Sequence, residues 1–234
     1  MPVYRNHRLV HLHVPKTAGT AIEDLFARAG DMTWDERCWY GTAHHSGRFW
    51  EYQHLTAVEL RRLSRESFET YTAFAVVRDP LHRLISDYEW RRAVAPDGSD
   101  EVVTFDRFDD YLAAIPMDLD RNWDRYIALA DRRWANHLVH VRPQWQYVCD
   151  RNGRLDDRIV VVRHECLHDD IAPLFDRHGV VEVLGPRPST ARALDDYFDA
   201  GGIARVRETY RTDMDWFGYD VPSAESFRSP GLRP

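Results

Sequence analysis

The chain has 234 residues, 44% of them apolar, which is the length and core material of one α/β domain; a single domain over 1–234 is expected. A formal net charge of −7 excludes a general nucleic-acid binder while leaving room for a local basic pocket, and no window reaches the ~20 apolar residues of a membrane span. Three cysteines without CxxC spacing (Cys38, Cys149, Cys166) and no long apolar run between Met1 and Val14 fit a reduced, cytoplasmic setting rather than a disulfide framework.

Leu9 to Val14 reads as a strand and Thr20 to Ala29 as the helix it feeds. Asp31 to Gln53 is rich in Trp, Tyr, His and Gly and has no clean periodicity. It reads as an irregular excursion with a short helix, a place where α/β folds carry substrate contacts. Thr56 to Arg65 is expected to be helical, with Leu55, Val58, Leu60 and Leu63 as its apolar stripe. Tyr71 to Val77 is apolar almost throughout, as suits a strand covered on both faces. Asp79-Pro80 opens a helix that runs to about Arg92. Pro96-Asp-Gly-Ser is a loop and Phe105 to Ile115 a helix. Gln146 to Cys149 reads as a strand or extended arm, Asn152-Gly153 as a turn, and Arg158 to Val162 as a buried parallel strand. Leu167 to His178 is helical and Gly179 ends it; Val180 to Leu184 reads as a short strand. Ala193 to Phe198 and Ile203 to Met214 read as the closing helices. This alternation predicts a central parallel sheet flanked by helices, which binds ligands at the carboxyl ends of its strands.

Two of those strand ends carry marked residues. The only lysine of the chain, against thirty arginines, is Lys16, in His13-Val-Pro-Lys-Thr-Ala-Gly-Thr-Ala-Ile22. A strand, a small-residue loop and a helix start form a place to hold a phosphate-like anion on backbone N–H groups and the helix dipole. Lysine is a compact point charge that reaches a single bridging oxygen, where the wide arginine fork does not fit. The second junction is Arg78-Asp-Pro…Arg83…Ser86…Tyr88, in which an arginine fork and a hydroxyl suit another phosphate group. The Lys16 loop lacks the G-x-x-x-x-G-K-[ST] pattern, and the other strand ends carry Arg78 and Arg163 rather than a magnesium-binding aspartate. Twelve histidines include no HExxH or Cys/His quartet, so no metal is expected.

The Lys16 stretch resembles the 5′-phosphosulfate loop of sulfotransferases that use 3′-phosphoadenosine 5′-phosphosulfate (PAPS), and the Arg78 stretch resembles their 3′-phosphate motif. The likeness is closest to the carbohydrate (Golgi-type) sulfotransferases and their soluble bacterial relatives. It extends to His140-Val-Arg-Pro-Gln144, to Val162-Arg-His-Glu-Cys-Leu-His-Asp169, and to Tyr210…Asp213…Phe217-Gly-Tyr219. The resemblance implies a P-loop-like sulfotransferase fold. It also implies that Pro15, Lys16, Thr17, Ala18, Gly19, Thr20 and Ala21 cradle the 5′-phosphosulfate, and that Arg78 and Ser86 hold the 3′-phosphate. The Golgi enzymes carry a membrane anchor and this chain is expected to have none, so their polymeric glycans are not the expected acceptors.

The expected reaction moves the sulfuryl group of PAPS to a hydroxyl of a small-molecule, saccharide or glycolipid acceptor, leaving 3′,5′-ADP. Lys16 meets the charge that develops on the leaving oxygen. The base is a histidine. His54, before the Thr56-Ala-Val-Glu-Leu60 segment, resembles the histidine that precedes such a segment in glycan sulfotransferases; His44 and His45 compete, with Glu51 and Glu59 as fallbacks. Trp39 to Tyr52 is the expected acceptor platform. The chain is expected to be a monomer or homodimer. The alternatives are a kinase-like protein using ATP-Mg, and a non-catalytic module that binds the 3′-phosphorylated nucleotide.

Overall fold

The structure is a computed structural model that describes residues 3–32, 42–45, 48–94, 102–185 and 193–219, with the side chains of 42–52 left out. In chain order its elements are β1 (Val3–Tyr4), β2 (Leu9–Leu12), α1 (Gly19–Arg28), β3 (Thr42–His45), β4 (Arg48–Glu51), α2 (Ala57–Leu63), α3 (Arg65–Thr70), β5 (Thr72–Val77) and α4 (Pro80–Val94). Then follow α5 (Phe108–Ala113), α6 (Leu119–Leu129), α7 (Arg132–Val141), α8 (Trp145–Val148), β6 (Ile159–Arg163), α9 (Leu167–Arg177), α10 (Ala200–Thr209) and α11 (Arg211–Phe217).

The main sheet has the order β1-β2-β5-β6. β2, β5 and β6 are parallel, and β1 pairs antiparallel on the edge. Side chains alternate across the pleat and both faces are covered. Leu9, Phe74, Val76 and Val162 pack on one face with Ile22, Leu25 and Phe26 of α1 and Ile171, Leu174 and Phe175 of α9. Val10, Leu12, Ala73, Ala75 and Val77 pack on the other with Leu60 of α2, Tyr147 and Val148 of α8, and Phe217 of α11. A third cluster joins α4, α5, α7, α10 and α11 beside the sheet. Because Leu12 pairs with Ala75 in the parallel register, the loops that begin at His13 and Arg78 leave the sheet side by side.

Several local expectations are corrected. Within the Asp31 to Gln53 excursion, Thr42–His45 and Arg48–Glu51 pair as antiparallel strands, the second lying against α6 and α7, while residues 33–41, where the short helix could fall, lie outside the described residues. The helix expected over Thr56 to Arg65 stops at Leu63, and Ser64 (φ −142°, ψ 60°) starts α3 on a new axis. Gln146 to Cys149 is largely the short helix α8, held by Asp213 at its start, rather than an extended arm. Val180 to Leu184 has strand-like composition but no ladder partner among the described residues, with Val181 83% and Val183 78% exposed. Ala193 to Phe198 forms only the one-turn 3-10 helix Leu194–Asp196. The single helix expected over Ile203 to Met214 breaks at Tyr210 (φ −111°, ψ 29°), whose hydroxyl is drawn to the Val141 carbonyl. The Pro96 loop lies outside the described residues.

Candidate active site

The loop between β2 and α1 is shaped by its backbone. Lys16 (φ 68°) and Ala18 (φ 78°) both occupy the left-handed region, which costs a non-glycine residue about 1–3 kcal/mol. Two contacts hold that conformation: the buried Thr17 hydroxyl donates to the Val14 carbonyl (2.8 Å), and the buried Arg83 guanidinium donates through Nε to the Pro15 carbonyl (3.2 Å). Arg83 also donates through Nη2 to the carbonyls of His140 (2.6 Å) and Arg142 (2.8 Å), so the loop is tied to the end of α7. Ala18 is the N-cap of α1 and has no side chain to cap with. Helix geometry therefore leaves the N–H groups of Gly19, Thr20 and Ala21 pointing out of the helix start.

Gly19 is required by a close approach. A Cβ built there would fall 2.0 Å from Nε2 of His13. The His13 ring lies across the first turn of α1, and its Nδ1–H donates to Oε1 of the buried Glu23 (2.6 Å).

The second junction meets the first directly. Nη1 of Arg78 donates to the Lys16 carbonyl (3.3 Å). The Arg78 backbone is gripped on both sides by Gln144: its N–H donates to Oε1 (2.9 Å), and its carbonyl accepts from Nε2 (2.7 Å). Gln144 is in turn oriented by Asp213, which accepts from the N–H groups of Gln144 (2.8 Å) and Trp145 (2.8 Å). Burial pushes the Asp213 carboxyl up to about 6, against the pull of Arg83 and those N–H groups. Glu165 accepts from the Asp79 N–H (2.9 Å) and the Tyr219 hydroxyl (3.1 Å), and the Arg163 guanidinium lies 4.4 Å over the Tyr219 ring. The three supporting motifs thus meet around the end of β5. Ser86 is half-buried on α4, one turn before Trp90.

His54 packs against the start of the Lys16 loop, 7% exposed. Its Nδ1–H donates to the His13 carbonyl (2.9 Å), which fixes the tautomer and leaves the lone pair on Nε2. Burial, then His13, His140 and Lys16, hold its pKa well below the ordinary histidine value, so the ring is neutral at neutral pH. Lys16 Nζ lies 4.9 Å over the Trp90 ring, and burial lowers its pKa to about 8; Asp87 opposes that shift and Arg91 and Arg78 add to it. Trp90 also stacks on His140, with ring centroids 4.8 Å apart.

A cleft of about 430 Å³ opens beside His54. Glu59, Trp123, Arg142, Gln146 and Asp150 are among its lining residues, and the Arg142 guanidinium lies 4.3 Å over the Trp123 ring. The stacked pair stands beside the carboxylates of Glu59 and Asp150 in that lining.

Of the residues singled out in the sequence, Lys16, Arg78 and His54 are brought together. Pro15 and Thr17 differ from expectation: the Pro15 carbonyl and the Thr17 hydroxyl face inward and are already bonded, so Thr17 retains only its N–H for a ligand. Glu59 is committed to a capping box with Thr56, which disfavours it as a base. The side chains of His44, His45, Glu51 and Trp50, and all of Trp39, lie outside the described residues. Sequence reasoning missed the parts played by Trp90, Glu23, Asp87 and His140. The spacing of Arg83, Asp87 and Arg91 at i, i+4 and i+8 was the available signal, because it puts three charges on one helix face, and all three prove buried.

No helix among the described residues is long and apolar enough to cross a membrane. Searches of curated proteins and of solved structures give no match. A family model described as the Sulfotransferase family matches residues 2–220. That span takes in both strand-end loops, the mostly parallel sheet that aligns them and the helices that brace them, and on this match the chain belongs to the sulfotransferase family.

Proposed function

We propose that the protein transfers the sulfuryl group of PAPS to a hydroxyl of a saccharide or glycolipid, with His54 as general base. The observation that carries this reading is the contact between Arg78 and the Lys16 carbonyl, which joins the two anion-binding loops into one site with His54 packed against it.

PAPS supplies the activated sulfuryl group. The N–H groups of Thr17 to Ala21 and the start of α1 receive its 5′ end, and Lys16 stabilises the negative charge left on the departing oxygen. Arg78 and Ser86 take the 3′-phosphate, the group that distinguishes this nucleotide from ATP. His54, neutral and with its lone pair on Nε2, takes the proton of the acceptor hydroxyl. The Trp123–Arg142 wall and its neighbouring carboxylates suit a polyhydroxylated ring, which stacks by one face and hydrogen-bonds by its edges. Calorimetry is expected to show tight binding of 3′,5′-ADP and weak binding of ATP-Mg. Labelled PAPS offered with a panel of saccharides, glycolipids and phenols is expected to yield a sulfated saccharide or glycolipid; absence of any transfer, or preference for ATP-Mg, would refute the proposal.

A further inference from the structure

Two buried carboxylate–imidazole pairs flank His54. On one side Glu23 of α1 accepts from His13 Nδ1–H (2.6 Å), and the His13 ring meets His54 nearly perpendicularly, with centroids 4.6 Å apart at 77°. On the other side Asp87 of α4 accepts from His140 Nδ1–H (2.6 Å), and the His140 ring meets His54 at 5.3 Å and 84°. Glu23 and Asp87 are 1% and 0% exposed, and His13 and His140 are 4% and 6% exposed. Each carboxylate is secured by further donors. Gln53 Nε2 donates to the second oxygen of Glu23 (3.1 Å), and Arg91 Nε (2.7 Å) and the Tyr111 hydroxyl (3.1 Å) donate to the second oxygen of Asp87.

The other fixed charge that acts on His54 is positive: the Lys16 ammonium, with burial, disfavours the protonated ring. A base that becomes an imidazolium there needs compensation, and buried carboxylates one ring away provide it.

We propose that Glu23, acting through His13, and Asp87, acting through His140, are positioning residues for His54. They fix the imidazole between two rings and supply the counter-charge for the imidazolium formed in the reaction. The acceptor O–H proton passes to Nε2 of His54 as the acceptor oxygen–sulfur bond forms. The bond from sulfur to the 5′-phosphate oxygen breaks, its electron pair stays on that oxygen, and nothing is oxidised or reduced. The inference rests on the base assignment made above.

The test uses Glu23→Gln, Asp87→Asn and Glu23→Asp in the full chain. His54 is titrated by NMR with histidine-labelled protein, a readout that needs no acceptor, and kcat/KM is followed against pH with PAPS and whichever saccharide of the panel is turned over. Removing either carboxylate makes the imidazolium less stable. The His54 titration and the acid limb of kcat/KM are therefore expected to move to lower pH by about 0.5–1 unit, and the plateau to fall about 3–10-fold. Glu23→Gln is expected to keep 3′,5′-ADP binding within a few-fold, whereas Asp87→Asn also removes the carboxylate that supports the Lys16 charge and is expected to weaken it. Glu23→Asp recovers part of the shift. Asp87 also anchors Arg91, so if Asp87→Asn fails to fold, Glu23→Gln alone decides. An unmoved titration in a variant that still binds 3′,5′-ADP overturns the proposal, as does lost turnover with an unmoved acid limb. His54→Gln separates the two levels: if it turns over normally, the base assignment itself fails; if it is inactive while the carboxylate variants titrate like the parent, only this inference fails.

Discussion

Replacing Gly19 by alanine tests the packing on which the site is built. By helix propensity alone the change is favourable by about 0.5–1 kcal/mol, since glycine loses the most backbone freedom on folding. The backbone at Gly19 is helical and imposes no strain of its own. The added methyl would fall 2.0 Å from His13 Nε2 and 2.1 Å from its Cδ2, so the imidazole must leave its place. Overpacking costs about 1–3 kcal/mol, and loosening the buried His13–Glu23 hydrogen bond costs about 1–3 kcal/mol more. The balance is a loss of about 2–4 kcal/mol, or about 5–10 °C in Tm for a chain of this size. Thermal unfolding by circular dichroism measures it, in the parent and in a His13→Ala background. Without the imidazole the methyl has no obstacle, so Gly19→Ala is expected to be neutral or stabilising there, giving a coupling of about 2–5 kcal/mol between the two positions. If Gly19→Ala were as stable as the parent, or equally harmful in both backgrounds, the close-approach argument would be wrong.

Five further outcomes follow from the site. Lys16→Arg keeps the charge and changes its shape; turnover is expected to fall about 100-fold or more with 3′,5′-ADP affinity within a few-fold, read by single-turnover kinetics and calorimetry. With its pKa lowered by burial to about 8, Lys16 loses its charge as pH rises through that value, so 3′,5′-ADP affinity falls there in the parent and not in Lys16→Met. The same depression means the buried ammonium costs the fold stability below about pH 8, a cost relieved as pH rises toward the unfolded lysine value, so Lys16→Met is expected to raise Tm at neutral pH. Arg78→Lys combined with Ser86→Ala is expected to erase about 1–3 kcal/mol of the preference for 3′,5′-ADP over ADP, measured by competitive calorimetry. Gln144→Leu leaves both backbone groups of Arg78 without their partners and should lower stability by about 1–3 kcal/mol and weaken 3′,5′-ADP binding, while Gln146→Leu should spare the nucleotide.

The parts of the fold legible in the sequence were those with a local cause. β2, β5 and β6 are short apolar runs, and α1, α4 and α9 each follow one of them, with Pro80 opening α4 and Gly179 just past α9, so their existence and parallel pairing could be read from the alternation. The Lys16 and Arg78 loops were legible as chemistry because each is a contiguous stretch of residue types. What stayed hidden depends on partners distant in the chain. α8 looks extended by composition and is helical because Asp213, some seventy residues on, holds its first N–H groups. α6 and α7 have no counterpart among the expected elements although their apolar residues do recur at helical spacing, Trp123 with Ile127 in one and Leu138 with Val141 in the other. Asp87 and His140 are separated by 53 positions, and nothing local marks either as a partner of the other.

Gln144 decides how the proposed 3′-phosphate loop is held. A primary amide carries the same donor and acceptor as a peptide group, so this side chain does for Arg78 what a neighbouring strand would do, extending the ladder by one rung beyond the last true pairing of β5. The rung belongs to the α7–α8 connection and not to the sheet. Arg78 is thereby registered to the helical layer that also carries His140 and the Trp123–Arg142 wall. On the proposed function, a drift of that layer relative to the sheet would shift the proposed acceptor cleft together with the Arg78 backbone that it grips.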